Sequence, residues 1–346
     1  MKKIIAALIA LTMLLSGLGA FAESAEEVEA TVYGPKIGVD LFNFDTEFAA
    51  MSEAYIAEGM SEQEAHAQAT RDLLVAVAEM GYEGVQYTRW FEWYDIDAAE
   101  LKALCEELGL EQLAPHFGIY VNWTEEEWPE WLAYLEACGI NGITMDLNMP
   151  FSIAGGMDNQ ITQDHLAQWA EQTIAQLQYL FDHYETYGYE DFVVGYHPHS
   201  WEFVRIREYG FRNLVEIIYD TFGDSVILDI DTAWAAISHP DGRLTHPWED
   251  AALGEEGLVQ YLWENGNMFP WIRLEDVNME TGYSAPIGQG DLEWDEIISA
   301  AVAHDCEWLI VQDHDEEQYN RNIFESLQCS IDYLNEMYKS LGLERQ

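Results

Sequence analysis

Short apolar runs rich in β-branched residues alternate with amphipathic helical segments along this chain, and eight such runs follow one another from Lys36 onward. This alternation is typical of a parallel α/β fold, because each helix carries the chain back to the start of the next strand. Eight units are enough to close a ring, and no glycine-rich dinucleotide loop follows the first run. The sequence therefore predicts a (β/α)8 TIM barrel. The predicted strands are 37–42, 84–87, 112–117, 142–145, 192–196, 226–230, 271–274 and 308–311.

The N-terminal residues have the pattern of a secretory signal peptide over 1–22. Lys2 and Lys3 precede an apolar core over about residues 4–18, and Ala20-Phe21-Ala22 matches a small-x-small cleavage site. We therefore expect an exported protein, secreted or otherwise extracytoplasmic. Residues 23–34 form an acidic leader without core periodicity, so the barrel domain is expected over 35–343. Later segments are less apolar than the signal core, so membrane insertion is not predicted.

The chain is strongly acidic, with 14 Lys and Arg residues against 64 Asp and Glu residues and a formal net charge of −50. Such a charge repels nucleic acids, anionic membrane surfaces and phosphorylated substrates, which bind to clustered basic groups. The composition is that of a folded domain, because 49% of the residues are hydrophobic and 13 are tryptophan. The excess of acidic over basic residues therefore favours a neutral or cationic small molecule as the ligand.

Four cysteines in an exported chain could form two disulfide bonds, but their positions favour free thiols. Cys105, Cys138 and Cys329 lie in helical patterns, and Cys306 lies just before an apolar strand, which are usual places for buried thiols. The paired Cys and His spacings of zinc sites do not occur in the sequence.

Polar residues follow four successive predicted strands directly. Each one alone could cap a helix or close a turn. Because the carboxyl ends of all barrel strands meet at one rim, four such clusters together predict a polar site there. The residues are His197, His199 and Glu202 after strand five, Asp229 and Asp231 at the end of strand six, Glu275 and Asp276 after strand seven, and Gln312, Asp313 and His314 after strand eight.

The motifs at these strands, in their order and spacing, resemble those of the sugar phosphate isomerase/epimerase family of xylose isomerase-like TIM barrels. The resemblance runs over about residues 36–341, and the fold it implies agrees with the barrel predicted from the alternation. Two motifs are specific, GYHPHSWEF at strand five and GQGDLEW after strand seven. The individually weaker motifs are KIGVDLF, MGYEGVQY, APHFG, LDIDTAW, IRLED and EWLIVQDHDE.

The resemblance implies a divalent cation, Mn²⁺ or Mg²⁺, at the open end of the barrel, where carboxylates move a proton beside a sugar carbonyl. Asp231 and His197 match the family's metal ligands on strands six and five. Three departures alter this site, since Arg273 replaces a histidine and Gln86 and Gln312 replace glutamates. A guanidinium has no lone pair for a metal, and an amide neither balances a dication nor titrates. We therefore expect either no cofactor or an altered cation site, with Arg273 paired to Asp231.

The remaining histidines and carboxylates could still transfer protons without a metal. Arg273 could then stabilise a developing enolate, and aromatic residues after several strands suit stacking on a sugar. The predicted catalytic residues are His197, His199, Glu202, Asp231 and Arg273. The predicted substrate-binding residues are Gln86, Trp90, His116, Trp123, Trp201, Trp234, Gln312 and His314.

Together these features predict an exported sugar isomerase or epimerase that acts on a neutral sugar or sugar derivative by proton transfer, with the family's metal site altered. Two alternatives stay open. One is a non-catalytic carbohydrate-binding barrel, and the other is a lyase or hydrolase acting on a modified glycoside. Motifs of zinc peptidases, α/β-hydrolases and P-loop enzymes do not occur in the sequence.

Overall fold

The computed structural model describes residues 31–88, 95–117, 128–146, 150–155, 161–187, 192–236, 254–313 and 322–346. The predicted signal peptide and residues 23–30 of the predicted leader lie outside these ranges, so both stay predictions. One compact unit spans residues 33–346. None of the helices in the described ranges is long and apolar enough to cross a membrane.

Eight parallel strands form a closed barrel. They are β1 (Lys36–Asp40), β2 (Gly84–Thr88), β3 (Glu111–Phe117), β4 (Gly142–Met145), β5 (Val193–Tyr196), β6 (Val226–Asp231), β7 (Trp271–Leu274) and β8 (Trp308–Val311). Each strand pairs with its neighbours in sequence, and β8 closes the ring against β1 with Val311 beside Val39. The predicted TIM barrel is therefore confirmed, and the predicted strand bounds are correct to within two residues.

Helices surround the barrel, and several of them begin and end at ordinary capping residues. Ser61 and Glu64 form a capping box before the second helix, in which each side chain accepts a hydrogen bond from the other's backbone N–H. Gly81 ends that helix in the left-handed conformation that glycine adopts readily. The helices are α1 (Asp45–Ala57), α2 (Glu62–Met80), α3 (Ala98–Leu108), α4 (Trp128–Cys138), α5 (Pro150–Ile153), α6 (Gln163–Tyr187), α7 (Leu214–Phe222), α8 (Thr232–Ala236), α9 (Gly254–Asn265), α10 (Trp294–Ala303) and α11 (Ile323–Leu341).

Short elements complete the described fold. An antiparallel pair, Asp276–Val277 with Ser284–Ala285, follows β7. Two-residue strands lie at Val32–Tyr33 and Leu343–Glu344. The 3₁₀ helices are Leu41–Phe44, Trp201–Phe203, Arg207–Tyr209, Gly223–Ser225 and Gly266–Met268.

Alternate residues of each strand face opposite sides of the barrel wall. Those facing outward, such as Ile37 and Val39 of β1, belong to the large hydrophobic core shared with the helices. Trp271, Trp308 and Ile310 belong to a separate small apolar cluster, here called the barrel floor. Inward-facing residues nearer the carboxyl ends of the strands are polar, so the strand ends predicted to form a site lie in one interior.

The four cysteines are free thiols, as predicted. Three are buried and Cys329 is half-buried. Burial raises the pKa of Cys105 to about 11 and that of Cys138 to about 12. Because the thiolate is the reactive form, both residues are packing groups rather than nucleophiles.

Gly84 packs tightly against the barrel floor. A Cβ atom at this position would lie 2.7 Å from the indole ring of Trp308 and 3.0 Å from the backbone carbonyl oxygen of Glu111. Close-packed interiors do not yield easily to an added methyl group. A glycine on β2 is therefore what allows the large Trp308 ring to fill the barrel at this level.

We expect Gly84→Ala to destabilise the protein by about 1 to 3 kcal/mol, because the added methyl group overpacks the barrel floor. Urea unfolding of the variant and the wild-type protein measures this cost. In a Trp308→Leu background, which lacks the indole ring, the same substitution should cost clearly less. An equal cost in both backgrounds would show that the clash with Trp308 is not its cause.

Candidate active site at the carboxyl end of the barrel

The guanidinium of Arg273 on β7 lies buried inside the barrel and bonds to side chains from four other strands or strand ends. Its Nη1 donates to Asp40 and Gln312, and its Nη2 donates to Gln86 and, over 2.8 Å, to Asp229. The four Nη protons are thereby used. These five residues are called the arginine cage.

Charge compensation holds the arginine cage together. Burial opposes ionisation of Asp229, but the charge of Arg273 outweighs it and lowers the pKa of Asp229 to about 2. Burial alone would lower the pKa of Arg273, yet the carboxylates of Asp229 and Asp40 raise it above its ordinary value. Both partners therefore remain charged at neutral pH.

The arginine cage corrects the predicted roles of Arg273 and Gln86, and it engages the oxygen of Gln312, whose contact with a substrate stays a prediction. Arg273 is fully buried and its Nη protons bond to protein groups, so it does not offer them to a substrate as the predicted electrophile. The Nε2 of Gln86 donates to the carbonyl of Ala114 at 3.0 Å and to the hydroxyl of Thr144 at 3.1 Å. Both Oε1 and Nε2 of Gln86 are therefore bonded to protein groups and not offered to a ligand. The Oε1 of Gln312 likewise accepts from Arg273.

The predicted ion pair between Arg273 and Asp231 is also corrected, because Arg273 pairs with Asp229 instead. Asp231 is the neighbour of Arg273 in the β6–β7 ladder. In a closed barrel the strands tilt, so residues that meet in the interior are displaced along the strands from their ladder partners. The guanidinium therefore meets the carboxylate two residues earlier on β6.

Three imidazoles and one carboxylate lie next to the arginine cage. The rings of His116 and His197 are centred 4.7 Å apart, and those of His197 and His199 are centred 5.0 Å apart. The carboxylate of Asp146 lies 3.8 Å from Nε2 of His116 and 3.9 Å from Nε2 of His199. The Nδ1 of His197 lies 3.6 Å from the carboxylate of Asp229. The structure thus brings three predicted histidines together with Asp146. His116, His197, His199 and Asp146 are here called the histidine cluster.

Asp231 lies near His197 with one carboxylate oxygen unused by the protein. Its Oδ1 accepts from the backbone N–H of Trp234 at 2.9 Å, whereas its Oδ2 is buried and has no hydrogen-bond partner in the described structure. Burial and the nearby charge of Glu275 raise the pKa of Asp231 to about 7. A carboxyl group that titrates near neutrality can both accept and return a proton.

Glu202 does not occupy the catalytic position predicted for it. The residue is fully buried, and its Oε1 accepts from the hydroxyl of Tyr196 while its Oε2 accepts from the backbone N–H of His199, both at 2.9 Å. Burial raises the pKa of this carboxyl group to about 7. With both oxygens engaged, Glu202 holds the turn after β5 and thereby positions His199.

Two of the predicted aromatic contacts, Trp234 and Trp201, lie among the described residues, and their surroundings differ. The ring of Trp234 lies edge-on to His199 at 5.1 Å, beside the histidine cluster. Trp201 is half-buried and packs against the hydrophobic core, and its contact with a sugar stays a prediction. Trp90, Trp123 and His314 lie outside the described residues, and their roles stay predictions.

The GQGDLEW motif folds around the carboxylate of Asp276. Its Oδ2 accepts from the backbone of Gly288 at 2.8 Å, the backbone of Gly290 at 2.9 Å and the indole N–H of Trp294 at 2.8 Å. A Cβ atom at Gly290 would lie 2.2 Å from Oδ1 of Asp276. The motif therefore shapes the loop after β7, and its glycine is required by the close approach to the carboxylate.

Two residues of the site, Asp40 and Asp146, were not predicted from the sequence. Asp40 is the last residue of β1, and Asp146 directly follows β4. Each is an acidic residue at the carboxyl end of an apolar strand, which is the pattern that identified Asp229 and Asp231. The same signal, applied to every strand, would have found both.

The described residues do not fit the divalent cation that the resemblance implies. The oxygen atoms of the arginine cage already surround a cation, the guanidinium of Arg273. The two predicted ligands, His197 and Asp231, are by themselves fewer donors than a divalent cation needs. Across the described ranges, no group of three or more His, Cys, Asp or Glu residues is placed to hold a metal ion.

Comparisons with known proteins agree with the fold and the resemblance. A model of the xylose isomerase-like TIM barrel family matches residues 74–335. A sugar phosphate isomerase/epimerase from Parabacteroides distasonis is 15% identical with a TM-score of 0.52, over 90% of this chain and 98% of that one. At these levels of identity, likeness to solved structures shows the fold alone. No match to a protein of curated function is found.

Two further solved structures are similar in fold. A D-allulose 3-epimerase from Methylomonas sp. is 12% identical with a TM-score of 0.53, over 89% of this chain and 99% of that one. An L-ribulose 3-epimerase is 13% identical with a TM-score of 0.54, over 88% of this chain and 95% of that one. The predicted resemblance to xylose isomerase-like barrels is confirmed.

Replacing Arg273 by Met should destabilise the fold by about 3 to 5 kcal/mol, because it leaves the buried carboxylates of Asp40 and Asp229 without a cation. Urea unfolding measures the loss. Adding Asp40→Asn and Asp229→Asn to Arg273→Met removes the uncompensated charges and should recover much of it. Wild-type stability in Arg273→Met alone would contradict a compensating role for the arginine.

Glu202 should make the fold less stable as the pH rises. Its pKa increases on folding from 4.5 to about 7, so its stabilising protonation is complete below 4.5 and is lost as the pH passes 7. In Glu202→Gln the amide mimics the protonated acid, donating to the oxygen of Tyr196 and accepting from His199. The melting temperature of this variant should fall less than that of the wild type between about pH 5 and pH 8.

The control for this measurement is Glu107→Gln, which makes the same charge change at an exposed position of α3. Its melting temperature should follow the wild-type pH dependence. If Glu202→Gln and Glu107→Gln show the same dependence, the protonation of Glu202 is not linked to folding.

Proposed function

Because the chain belongs to the xylose isomerase-like TIM barrel family, we propose that it moves a proton on a sugar or sugar derivative as an isomerase or epimerase. The observation that carries this proposal is the carboxyl group of Asp231, which is buried, has one unused oxygen and titrates with a pKa of about 7. It lies near His197 of the histidine cluster, at the carboxyl end of the barrel where enzymes of this fold place their active sites.

In the proposed reaction, Asp231 accepts the proton of the carbon next to the sugar's carbonyl group. The electron pair of the broken C–H bond forms a C=C bond, and the carbonyl oxygen takes a proton from an imidazole of the histidine cluster, which gives an enediol. For an isomerisation, a proton is added to the former carbonyl carbon while the hydroxyl on the first carbon gives its proton to the imidazole, which forms the new carbonyl group. For an epimerisation, a proton is added to the opposite face of the first carbon while the enediol oxygen returns its proton to the imidazole, which restores the original carbonyl group.

Two kinds of observation support this reaction class. The similar structures include two proteins named as 3-epimerases, of allulose and of ribulose. The described residues also offer a proton-transfer route that uses only side chains, because Asp231 keeps one oxygen without a partner in the described structure and lies near His197. No step of the proposed route needs a bound metal ion.

Exchange of carbon-bound hydrogen in D₂O tests the proposal on many sugars at once. The protein is incubated with a panel of unphosphorylated aldoses and ketoses, and NMR detects deuterium at carbons beside the carbonyl group. We expect incorporation into at least one sugar, at a rate that a chelator does not change. Asp231→Asn should lower that rate about 10² to 10⁴-fold, because an amide cannot act as the base.

Two further variants complete this experiment. His199→Gln should also slow the exchange, whereas Glu107→Gln, with its altered charge on the exposed face of α3, should leave the rate unchanged. Circular dichroism confirms that each variant is folded. Full exchange rates in both Asp231→Asn and His199→Gln would contradict the proposal.

A non-catalytic carbohydrate-binding barrel is the second candidate. The arginine cage favours it, because the groups that replace the family's metal ligands bond to one another. Calorimetry with the same sugars, with and without Mn²⁺, separates the two candidates. Sugar binding that needs no Mn²⁺ and is accompanied by no deuterium exchange would support the binding protein over the enzyme.

A further inference from the structure

We infer that the site prefers a sugar carrying a protonated amine to an uncharged sugar, and an uncharged sugar to a phosphorylated one. This inference rests on the proposed function, because it concerns the ligand of the same site. The charges of the described side chains and one unused buried oxygen support it.

Negative charge exceeds available positive charge in the described part of the site. Asp146 and Glu275 are 8% and 6% exposed, and Asp231 is fully buried. The permanently charged cation near them is Arg273, whose Nη protons bond within the arginine cage. The cage itself carries two carboxylates against one guanidinium, so it adds no net positive charge.

The Oδ2 of Asp231 is the atom that points to a cationic donor. It is buried and has no hydrogen-bond partner in the described structure, although Oδ1 of the same carboxylate is bonded to the backbone of Trp234. A buried carboxylate oxygen without a donor is costly. An ammonium group would supply a donor and a compensating charge together, and such charge-assisted hydrogen bonds are stronger than neutral ones.

The walls around this oxygen also suit an ammonium ion. Asp146 holds its carboxylate between the Nε2 atoms of His116 and His199, and the indole of Trp234 adjoins His199. Carboxylates and an indole ring both attract an ammonium group. A phosphate would face the same carboxylates and be repelled, because electrostatic interactions are strong where water is excluded.

Three ligands that differ only at carbon 6 test the preference. They are 6-amino-6-deoxyglucose, whose alkyl ammonium stays protonated at neutral pH as a lysine does, glucose, and glucose 6-phosphate. Glucosamine, compared with glucose, tests an amine at carbon 2. Calorimetry on the full chain should give at least one amino sugar a Kd at least tenfold below that of glucose, with glucose 6-phosphate weakest. Amino sugars that bind no better than glucose, or a phosphate that binds best, would overturn the inference.

Two variants locate the preference. Asp231→Asn and, as a second test should that variant misfold, Glu275→Gln each remove a carboxyl group that can pair with an ammonium ion. Each should reduce the ratio of the Kd of glucose to that of the amino sugar. Glu107→Gln removes a charge from the exposed face of α3 and should keep the wild-type ratio. An unchanged ratio in folded Asp231→Asn and Glu275→Gln would place the amine elsewhere and overturn the inference.

The outcome is independent of the test of catalysis. Tight amine binding without deuterium exchange in any sugar would support the inference and contradict the proposed enzyme. Deuterium exchange in neutral sugars without a preference for amines would support the proposed enzyme and contradict the inference. Binding of Mn²⁺ that Asp231→Asn abolishes, together with no preference for amines, would identify a metal ion as the cation and overturn the inference.

Discussion

A guanidinium buried in the centre of a barrel must find both negative charge and hydrogen-bond acceptors, and this requirement organises the interior of the protein. Arg273 on β7 meets it with Asp40, Gln86, Asp229 and Gln312, which come from β1, β2, β6 and the end of β8. Removing water from these groups is costly, and their mutual attraction offsets the cost only when every partner is present. One side chain therefore links five strand positions around the ring.

The arginine cage also decides where chemistry can occur. Because its four Nη protons are used, the candidate group beside it is Asp231, which keeps one buried oxygen without a partner in the described structure and lies near His197 of the histidine cluster. Asp229 and Asp231 are two residues apart on one strand, yet the pKa of the first is about 2 and that of the second about 7. The difference arises because Arg273 contacts Asp229, whereas Asp231 lies beside the negative charge of Glu275. Two equal side chains thereby become a permanent counter-ion and a candidate proton carrier.

The predictions for individual side chains were accurate where the strand pattern alone decides the position. His116, His197, His199 and Asp231 do converge, because strand ends in a parallel barrel share one rim. The roles of Glu202 and Gln86 were predicted wrongly, because neither pattern nor spacing shows that Tyr196, Ala114 and the backbone of His199 take up their polar atoms.

The sequence by itself determined the architecture, because the alternation of strand and helix periods has only a few ways to bury its apolar faces. It also determined which residues lie at the carboxyl ends of the strands, including the arginine where the family places a histidine. Only the tertiary structure decided that Arg273 meets Asp229 rather than its ladder neighbour Asp231. The tilt of the strands sets that choice, and tilt is a property of the closed ring that no local segment encodes.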